Sequence, residues 1–472
     1  KYSDTEEAFS LQQIAEDEFL INCLANDYYP DVEIERFLTD IRRQLLLTSV
    51  QDLKINETYL PLFQALALQG YLTEYAFYVR EDEQEVVNSL NNELGNILTS
   101  EECSLEDITN LMLLLSMYQP LVSTNAHPAL HGLQSEQLPE FLQDIFSLTY
   151  LEPIDIETKA EKVITLGTIN RDSETVQQQY EESPYPKFNR VNYSPTPVNY
   201  RARSAHLFDK SLNLDVLDAM PLEILVAGCG TGFHPVQIAK SCDNANVTAI
   251  DISRTSIAYA QRLKNAYEAS NLQLFQADIL ELVEVFSAKK QRFHVIECLG
   301  VLHHMMNGYE GLTALTELLV PGGVINIGLY SSIARNSITQ IRKANEKVGM
   351  QASNTNIRQF RRQLLEQCND ETMKSLFHSR DFYNLNGCRD LLFNTHEDCL
   401  TIPEIKTMLE RANLDFIGFH FQSGEAEQHY RMMFPAEKSL RNLDYWHQLE
   451  VQHPHTFQKM YQFHCQKPLA RI

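Results

Sequence analysis

The chain has 472 residues, and its 63 acidic and 39 basic side chains give it a net charge of −24. A single hydrophobic core rarely serves so long a chain, so two or three domains are expected. Hydrophobic residues make up 44%, and the moderate glycine and proline contents exclude collagen-like and low-complexity classes. No apolar run is long enough for a membrane helix, and the excess of acidic side chains disfavours nucleic acid as a partner.

Residues 1–150 contain 26 acidic and six basic side chains, so most of the net charge falls in this third of the chain. Apolar residues at helical spacing in residues 41–47 and 60–68 predict an all-α domain. The step in composition marks it as a separate domain. Its acidic surface suits a basic protein partner, with dimerisation or solubility alone as the other interpretations.

Residues 151–220 are predicted to be a linker, because prolines end any helix near Ser183 and keep the following chain extended. From residue 222 onward, short apolar strands alternate with segments of helical length, which predicts a doubly wound, Rossmann-like α/β sheet. The predicted strands cover residues 222–227, 247–251, 272–277, 293–299, 324–330, 414–421 and 457–467. Residues 221–472 are therefore expected to form a seven-stranded domain, with an insertion at about 331–410 after strand five.

The nine cysteines include no C-x-x-C pair, and no group of residues has the spacing of a metal site. Several cysteines lie in apolar runs, as small core residues do. We therefore expect no bound metal, reduced thiols and a cytoplasmic location.

The segment after the first strand contains Gly228, Gly230 and Gly232 before a predicted helix. Glycines adopt positive φ and allow a ligand to touch the backbone, and a helix N-terminus attracts anionic groups. Asp251 ends the second strand, 23 residues after Gly228. That spacing is close to the ~20 residues that separate such a loop from an acid holding ribose hydroxyls.

These features, with Asp278 after strand three and a Pro-Gly-Gly before strand five, resemble the class I S-adenosylmethionine (SAM)-dependent methyltransferases. The resemblance covers residues 221–330 well. It implies that SAM lies along the glycine loop, with its ribose at Asp251 and its adenine near Asp278. The neighbouring Ile252, Ile279 and Leu299 are assigned to the same cofactor site. A dinucleotide is disfavoured because the third glycine position of that fingerprint is missing.

A closer resemblance is to a bacterial subgroup of these enzymes that is often fused to tetratricopeptide repeats. It is carried by the Tyr-Glu-Glu-Ser-Pro-Tyr-Pro segment at 180–186, by residues 300–305, 327–331 and 334–335, by Glu74-Tyr75 and by the segment 381–397. No 34-residue period is found in this chain. The resemblance implies the cofactor and leaves the acceptor open.

His303 follows strand four, where the resemblance places the transferred methyl group. It is a candidate general base, since histidine titrates near neutrality; alternatively it only shapes the pocket. The candidate acceptor-site residues are Tyr180, Tyr185, Tyr330, Arg335, Tyr383 and Asn394. Tyr180 and Tyr185 are predicted to cover the sulfonium of SAM, or else to anchor the linker.

We expect a methyltransferase that acts on a protein or peptide, because a small-molecule enzyme does not need a large acidic helical domain. A small-molecule methyltransferase, whose N-terminal domain serves dimerisation or closure, is the alternative. A non-catalytic SAM-binding scaffold is the third interpretation. The first part of the insertion is basic, which suits a lid, a dock for the acidic domain, or simply a solvated helix face.

Overall fold

The structure is a computed structural model, and it describes residues 10–50, 53–98, 105–188, 190–204, 212–367, 374–421 and 423–469. The chain divides into two compact units. The first unit consists of Lys1–Ile156 and Arg342–Phe393, and the second unit of Glu157–Ile341 and Asn394–Ile472.

Helices dominate the described part of the first unit. They are α1 (Leu11–Ala15), α2 (Glu18–Asn26), α3 (Val32–Ser49), α4 (Leu60–Leu72), α5 (Glu81–Ile97), α6 (Leu105–Ser116), α7 (His127–Leu130) and α8 (Glu140–Phe146), followed by α9 (Glu152–Glu161), which continues into the second unit. Several begin with a side-chain cap, such as Asp31, whose carboxylate accepts hydrogen bonds from two N–H groups of α3. The apolar faces of these helices form one core, which contains Phe63, Leu114 and Phe146. The predicted all-α domain is confirmed.

The insertion after strand five is confirmed too, and most of it is part of the first unit. It contains α16 (Asn336–Lys347), which begins in the second unit, then α17 (Asn354–Glu366), α18 (Lys374–Phe377) and α19 (Leu385–Phe393). The start of α19 packs on the end of α4: Asn386 donates to the Glu74 carboxylate from its backbone N–H (3.0 Å) and its side chain (2.9 Å). Two segments that carry the subgroup resemblance therefore lie in contact.

Arg361 of α17 connects the insertion to the N-terminal helices. Its guanidinium forms two hydrogen bonds with the Glu35 carboxylate of α3 (2.7 and 3.1 Å) and donates to the carbonyls of Ala76 and Phe382 (both 2.6 Å). Both side chains of the ion pair are almost fully buried. Within the first unit, the basic insertion thus docks on the acidic N-terminal helices, as one of the three interpretations of its charge predicts.

The second unit is built on a twisted sheet. Its strands are β1 (Thr165–Leu166), β2 (Leu222–Ala227), β3 (Ala245–Asp251), β4 (Leu272–Ala277), β5 (Phe293–Leu299), β6 (Leu319–Ser331), β7 (Cys399–Leu400), β8 (Asp415–Phe419) and β9 (Tyr461–Gln466). The order is β1-β4-β3-β2-β5-β6-β9-β8, with β7 paired to β6, and β9 runs antiparallel to both of its neighbours, β6 and β8. The predicted seven-stranded, Rossmann-like sheet is confirmed, with the two-residue strands β1 and β7 added.

Helices cover both faces of this sheet. They are α10 (Glu174–Glu182), α11 (Tyr200–Arg203), α12 (Phe233–Ser241), α13 (Arg254–Ala266), α14 (Leu282–Ala288), α15 (Gly308–Leu318), α20 (Ile402–Arg411), α21 (Glu425–Met433) and α22 (Leu443–Gln452). Alternate residues of each strand enter two separate cores, as a doubly wound sheet requires: Leu225 and Ile296 lie in one, and Ile224 and Val295 in the other. The carboxyl ends of β2 to β6 consequently meet at one edge, and the predicted site residues follow these ends.

Two further features of the described residues concern membrane-spanning helices and cysteines. Among the residues that the structure describes, no helix combines the length and the apolar character that crossing a bilayer requires. Seven of the nine cysteines fall within the described ranges, all as free thiols, while Cys103 and Cys368 lie outside them.

Candidate functional site

The glycine loop connects β2 to α12. Gly228, Gly230 and Gly232 all have positive φ, at 72°, 51° and 100°, a conformation that side chains disfavour. Two of them are also required by close packing. A Cβ at Gly228 would lie 2.2 Å from Cγ2 of Val301, and one at Gly232 would lie 2.6 Å from Cα of Ala260. The loop is thus held tightly against the turn after β5 and against α13.

Gly230 and Gly300 present backbone rather than side chains at the carboxyl edge of the sheet. A Cβ at Gly230 would meet only the carbonyl of Tyr185, at 3.5 Å, and one at Gly300 would meet nothing within 4 Å. Gly300 also has a positive φ of 74°. Open space therefore borders the backbone of Gly300 at the end of β5, and a single carbonyl oxygen is close to Gly230 after β2, so a ligand can approach both backbones closely.

Asp251, at the end of β3, is tied to this loop. Its Oδ2 accepts the N–H of Gly230 (2.8 Å), and its Oδ1 accepts the N–H of Ser253 (3.0 Å). Burial raises the pKa of the Asp251 carboxyl to about 6, although both N–H groups act in the opposite direction. Each oxygen retains a lone pair, so an ionised Asp251 can accept further hydroxyl groups.

The other predicted cofactor residues follow the neighbouring strands. Asp278, after β4, is buried and accepts the N–H groups of Leu280 (3.0 Å) and Asn170 (3.1 Å). Ile279 is also buried, while Ile252 and Leu299 are partly exposed. All four follow or end strands at the same edge of the sheet.

The Tyr-Glu-Glu segment of the predicted linker ends α10 and is anchored to the sheet domain. The Glu181 carboxylate accepts the N–H groups of Arg254 (2.7 Å) and Thr255 (2.8 Å), which are the first two residues of α13. It also accepts the Thr255 hydroxyl (2.7 Å). A carboxylate at a helix N-terminus satisfies free N–H groups and complements the helix dipole. The motif thus holds the chain beside the glycine loop.

His303 and His304 form a 3-10 turn after β5, and both are buried. Their Nε2 atoms lie 3.1 Å apart. Nδ1 of His304 lies 2.8 Å from the carbonyl oxygen of His396, and the N–H of Asp398 donates to the carbonyl of His303 (2.8 Å). The segment before β7 therefore fixes the histidine turn from one side.

Four predicted acceptor-site residues surround this turn. The Tyr330 ring lies 4.1 Å from the His303 ring, and the Arg335 guanidinium lies 3.5 Å above the Tyr330 ring. Tyr180 meets the edge of His304 at 6.1 Å, and its hydroxyl accepts the Asn394 amide (3.2 Å). The structure thus brings Tyr180, Tyr330, Arg335 and Asn394 together with His303, although 214 residues separate Tyr180 from Asn394.

The remaining two predicted acceptor-site residues lie elsewhere. Tyr185 is partly exposed, and its carbonyl faces Gly230 of the loop. Tyr383 belongs to the first unit, where it is almost fully buried and donates its hydroxyl to the carbonyl of Phe377 (3.1 Å). Its hydroxyl therefore has a structural partner inside that unit.

Two further charged groups lie near this edge of the sheet, and one of them, Glu397, ends a segment that carries the subgroup resemblance. Glu397 accepts Nη2 (3.0 Å) and Nε (3.3 Å) of Arg335, and both side chains are buried. Glu297 lies inside β5 and accepts the Tyr200 hydroxyl (2.7 Å) and the Asn326 amide (2.7 Å), with His234 Nε2 at 3.3 Å. Burial alone would raise the pKa of Glu297, but the neighbouring His234 imidazole and the hydrogen bond from Tyr200 lower it to about 2.

A charged residue in an apolar strand was the available signal for Glu297, since such a residue needs buried partners. It is a single acid between Ile296 and Cys298. The sequence does not show which partners it has, because Tyr200, Asn326 and His234 come from three other elements.

A cavity of about 450 Å³ opens beside the histidine turn, between α15 and α20. Leu302, Met306, Leu329 and Met408 contribute apolar walls, and the lining also includes His303, Asp398, Glu404 and Arg411. The volume lies within the ~300–1,000 Å³ of small-ligand sites, and apolar walls with a few polar groups are typical of them.

Parts of this chain match known proteins. Residues 221–384 match the family model of a methyltransferase domain. An uncharacterized protein of Synechococcus sp. is 37% identical over 122 residues, which cover 26% of this chain and 28% of that protein. The malonyl-[acyl-carrier protein] O-methyltransferase of Halalkalibacterium halodurans is 26% identical over 170 residues, 36% of this chain and 59% of that protein.

Among solved structures, that of PKMT2 from Rickettsia typhi matches with a TM-score of 0.43 and 16% identity, covering 60% of this chain and 55% of that chain. The chain thus spans less than two thirds of the length of each of these three proteins.

Proposed function

We propose that the protein is a SAM-dependent methyltransferase that transfers a methyl group to a protein or peptide acceptor. The methyltransferase part rests on the match of residues 221–384 to a methyltransferase-domain model. It also rests on the glycine loop, in which the N–H of Gly230 is bonded to Asp251 and Gly228 packs on Val301, just before the histidine turn. The choice of a protein acceptor rests on the acidic surface of the first unit.

The residues at the edge of the sheet fit SAM. The glycine loop presents its backbone at Gly230, where a Cβ would meet only the carbonyl oxygen of Tyr185, at 3.5 Å. Asp251 offers lone pairs to ribose hydroxyls, and Asp278 offers a carboxylate to the adenine amino group. Aromatic rings of Tyr180 and Tyr185 suit a positively charged sulfonium.

SAM, when bound, supplies a methyl group on a positively charged sulfur, which needs no further activation. The protein's task is therefore to hold the acceptor in line with that group and to keep water away. His303 is almost fully buried beside the cavity. In this proposal it takes a proton from an acceptor that is protonated at working pH, a contribution typically worth 10²–10⁴ in rate.

The acidic surface of the first unit supports a basic protein acceptor. Exposed acidic residues in its described part include Glu16, Glu18, Asp27, Asp31, Glu33, Asp40, Glu57, Glu81, Asp82, Glu85, Glu106, Asp107, Glu136, Glu140 and Asp144. Such a field raises the encounter rate with a positively charged partner and weakens with salt. A free small metabolite would gain little from it.

The test uses SAM labelled in its methyl group, with the purified protein and an extract of its source cells. Label in a protein band supports the proposal, and mass spectrometry then identifies the modified residue. Asp251→Asn serves as the cofactor-site control and should abolish most labelling. In the Glu81→Gln/Glu85→Gln variant of α5, labelling of the protein band should fall at low salt, whereas Glu284→Gln/Glu317→Gln in the second unit should leave it unchanged.

A small-molecule acceptor is the second candidate, and the cavity beside His303 favours it. Its volume and apolar walls fit a small ligand, and the Halalkalibacterium relative is named for a malonyl group on a carrier protein. Label that stays in the small-molecule fraction would favour this acceptor over a protein. SAM binding without any transfer would instead support a scaffold role.

The association with a subgroup fused to tetratricopeptide repeats is kept as part of the proposal. It rests on the Tyr-Glu-Glu segment that caps α13 and on the contact between Glu74 and Asn386 in the first unit.

A further inference from the structure

The two adjacent histidines after β5 form a short chain of hydrogen bonds. It runs from the carbonyl oxygen of His396 to Nδ1 of His304 (2.8 Å), and from Nε2 of His304 to Nε2 of His303 (3.1 Å). Both imidazoles are buried, so water cannot easily replace these partners. The end of the chain at His396 is a backbone group, whose role as acceptor does not change with pH.

That fixed end determines where the hydrogens lie. A carbonyl oxygen only accepts, so Nδ1 of His304 must carry a hydrogen. In a neutral imidazole the other nitrogen is then an acceptor, so Nε2 of His304 carries a lone pair. The contact between the two Nε2 atoms is a hydrogen bond only if His303 donates from Nε2. The basic nitrogen of a neutral His303 is consequently Nδ1.

The geometry points to His304 as a positioning residue: it holds His303 in the tautomer that carries hydrogen on Nε2 and keeps the lone pair of Nδ1 for proton uptake. The catalytic meaning of this arrangement rests on the proposed methyl transfer. The acceptor's electron pair forms the bond to the methyl carbon, the sulfur keeps the electron pair of the broken bond, and the acceptor's proton moves to Nδ1 of His303.

The arrangement also suits the protonated product of that step. An imidazolium donates from both nitrogens, so His303 keeps its hydrogen bond to His304 after it has gained a proton. The Tyr330 ring lies 4.1 Å away, and an aromatic face favours the cationic form. The nearby Arg335 is paired with Glu397 (3.0 Å), so its charge is largely compensated.

Nitrogen-15 NMR of histidine-labelled protein tests this inference without any acceptor, since long-range couplings distinguish the two neutral tautomers. The signals are assigned by comparison with His303→Gln and His304→Gln. At high pH we expect hydrogen on Nε2 of His303 and on Nδ1 of His304. Hydrogen on Nδ1 of His303, or on Nε2 of His304, would overturn the inference whether or not the protein transfers methyl groups.

Two matched variants extend the test to turnover. His304→Phe removes the acceptor for the His303 Nε2 hydrogen, so the imidazolium is less stabilised and the acid limb of the kcat/KM profile should move to lower pH. His304→Gln offers an amide oxygen in its place and should restore most of the original profile. Equal profiles for the wild type and both variants would refute the positioning role, while the NMR result covers the case of a variant that does not fold.

Discussion

The ion pair between Arg361 and Glu35 allows a sharp test of how the first unit is assembled. We consider Arg361→Met, which keeps the apolar length of the side chain and removes its charge. The change eliminates two hydrogen bonds to Glu35 and two to the carbonyls of Ala76 and Phe382. It also leaves the Glu35 carboxylate, which is only 5% exposed, without its cationic partner.

The expected loss follows from this burial. Removing one partner of a buried ion pair typically costs about 3–5 kcal/mol, because the remaining charge stays desolvated. Replacing both partners with apolar residues is often close to neutral. Arg361→Met should therefore be costly, and Arg361→Met/Glu35→Leu should recover most of the loss. Arg362→Met serves as the control on the same helix, since its pair with Glu366 is about half exposed and worth less than ~1 kcal/mol.

Urea unfolding followed by two probes provides the assay. Far-ultraviolet circular dichroism reports on the helices of both units, whereas Trp446, the only tryptophan in the chain, reports on the second unit. The difference between the two curves isolates the first unit. A loss of less than about 1 kcal/mol for Arg361→Met would refute the argument that desolvation of the remaining charge dominates. So would a double variant whose loss of stability equals the sum of the losses of Arg361→Met and Glu35→Leu.

Three further outcomes are expected. Gly228→Ala should lower the free energy of unfolding reported by Trp446 by about 2–4 kcal/mol, because φ is 72° and the new Cβ would lie 2.2 Å from Val301. If adding Val301→Ala to this variant recovered none of the lost stability, the collision with Val301 would be contradicted. The pKa of Asp251 is about 6, and only the ionised carboxylate accepts hydroxyl groups well. Calorimetry should therefore show the affinity for SAM falling about tenfold from pH 7 to pH 5, whereas the affinity of Asp251→Asn should not depend on pH in this range. Glu181→Ala should lower the free energy of unfolding by about 1 kcal/mol, because the first two N–H groups of α13 lose their acceptor. An unchanged midpoint of urea unfolding would show that water replaces the carboxylate.

Much of the second unit was predictable because its signals are local. A parallel strand buried on both faces is a short apolar run, and residues 222–227, 272–277 and 293–299 were predicted with the observed bounds. The glycine loop is equally local, since positive φ and close approach select glycine at fixed positions. Parallel strands also end at one edge of the sheet, which is why residues after different strands were expected to share a site.

The contacts between residues that are distant in the chain could not be predicted from the sequence, because composition and periodicity contain no information about which distant residues meet. The segment 331–410 was expected to be a lid, a dock or a solvated face, and only the tertiary structure shows residues 342–393 packed with the N-terminal helices through Arg361. The tautomer of His303 likewise depends on a carbonyl at His396, 93 residues further along the chain. The local sequence determined the strands, the glycine loop and the family resemblance. Which distant residues became hydrogen-bond and ion-pair partners was decided by the tertiary structure, because buried charges and polar groups must be paired.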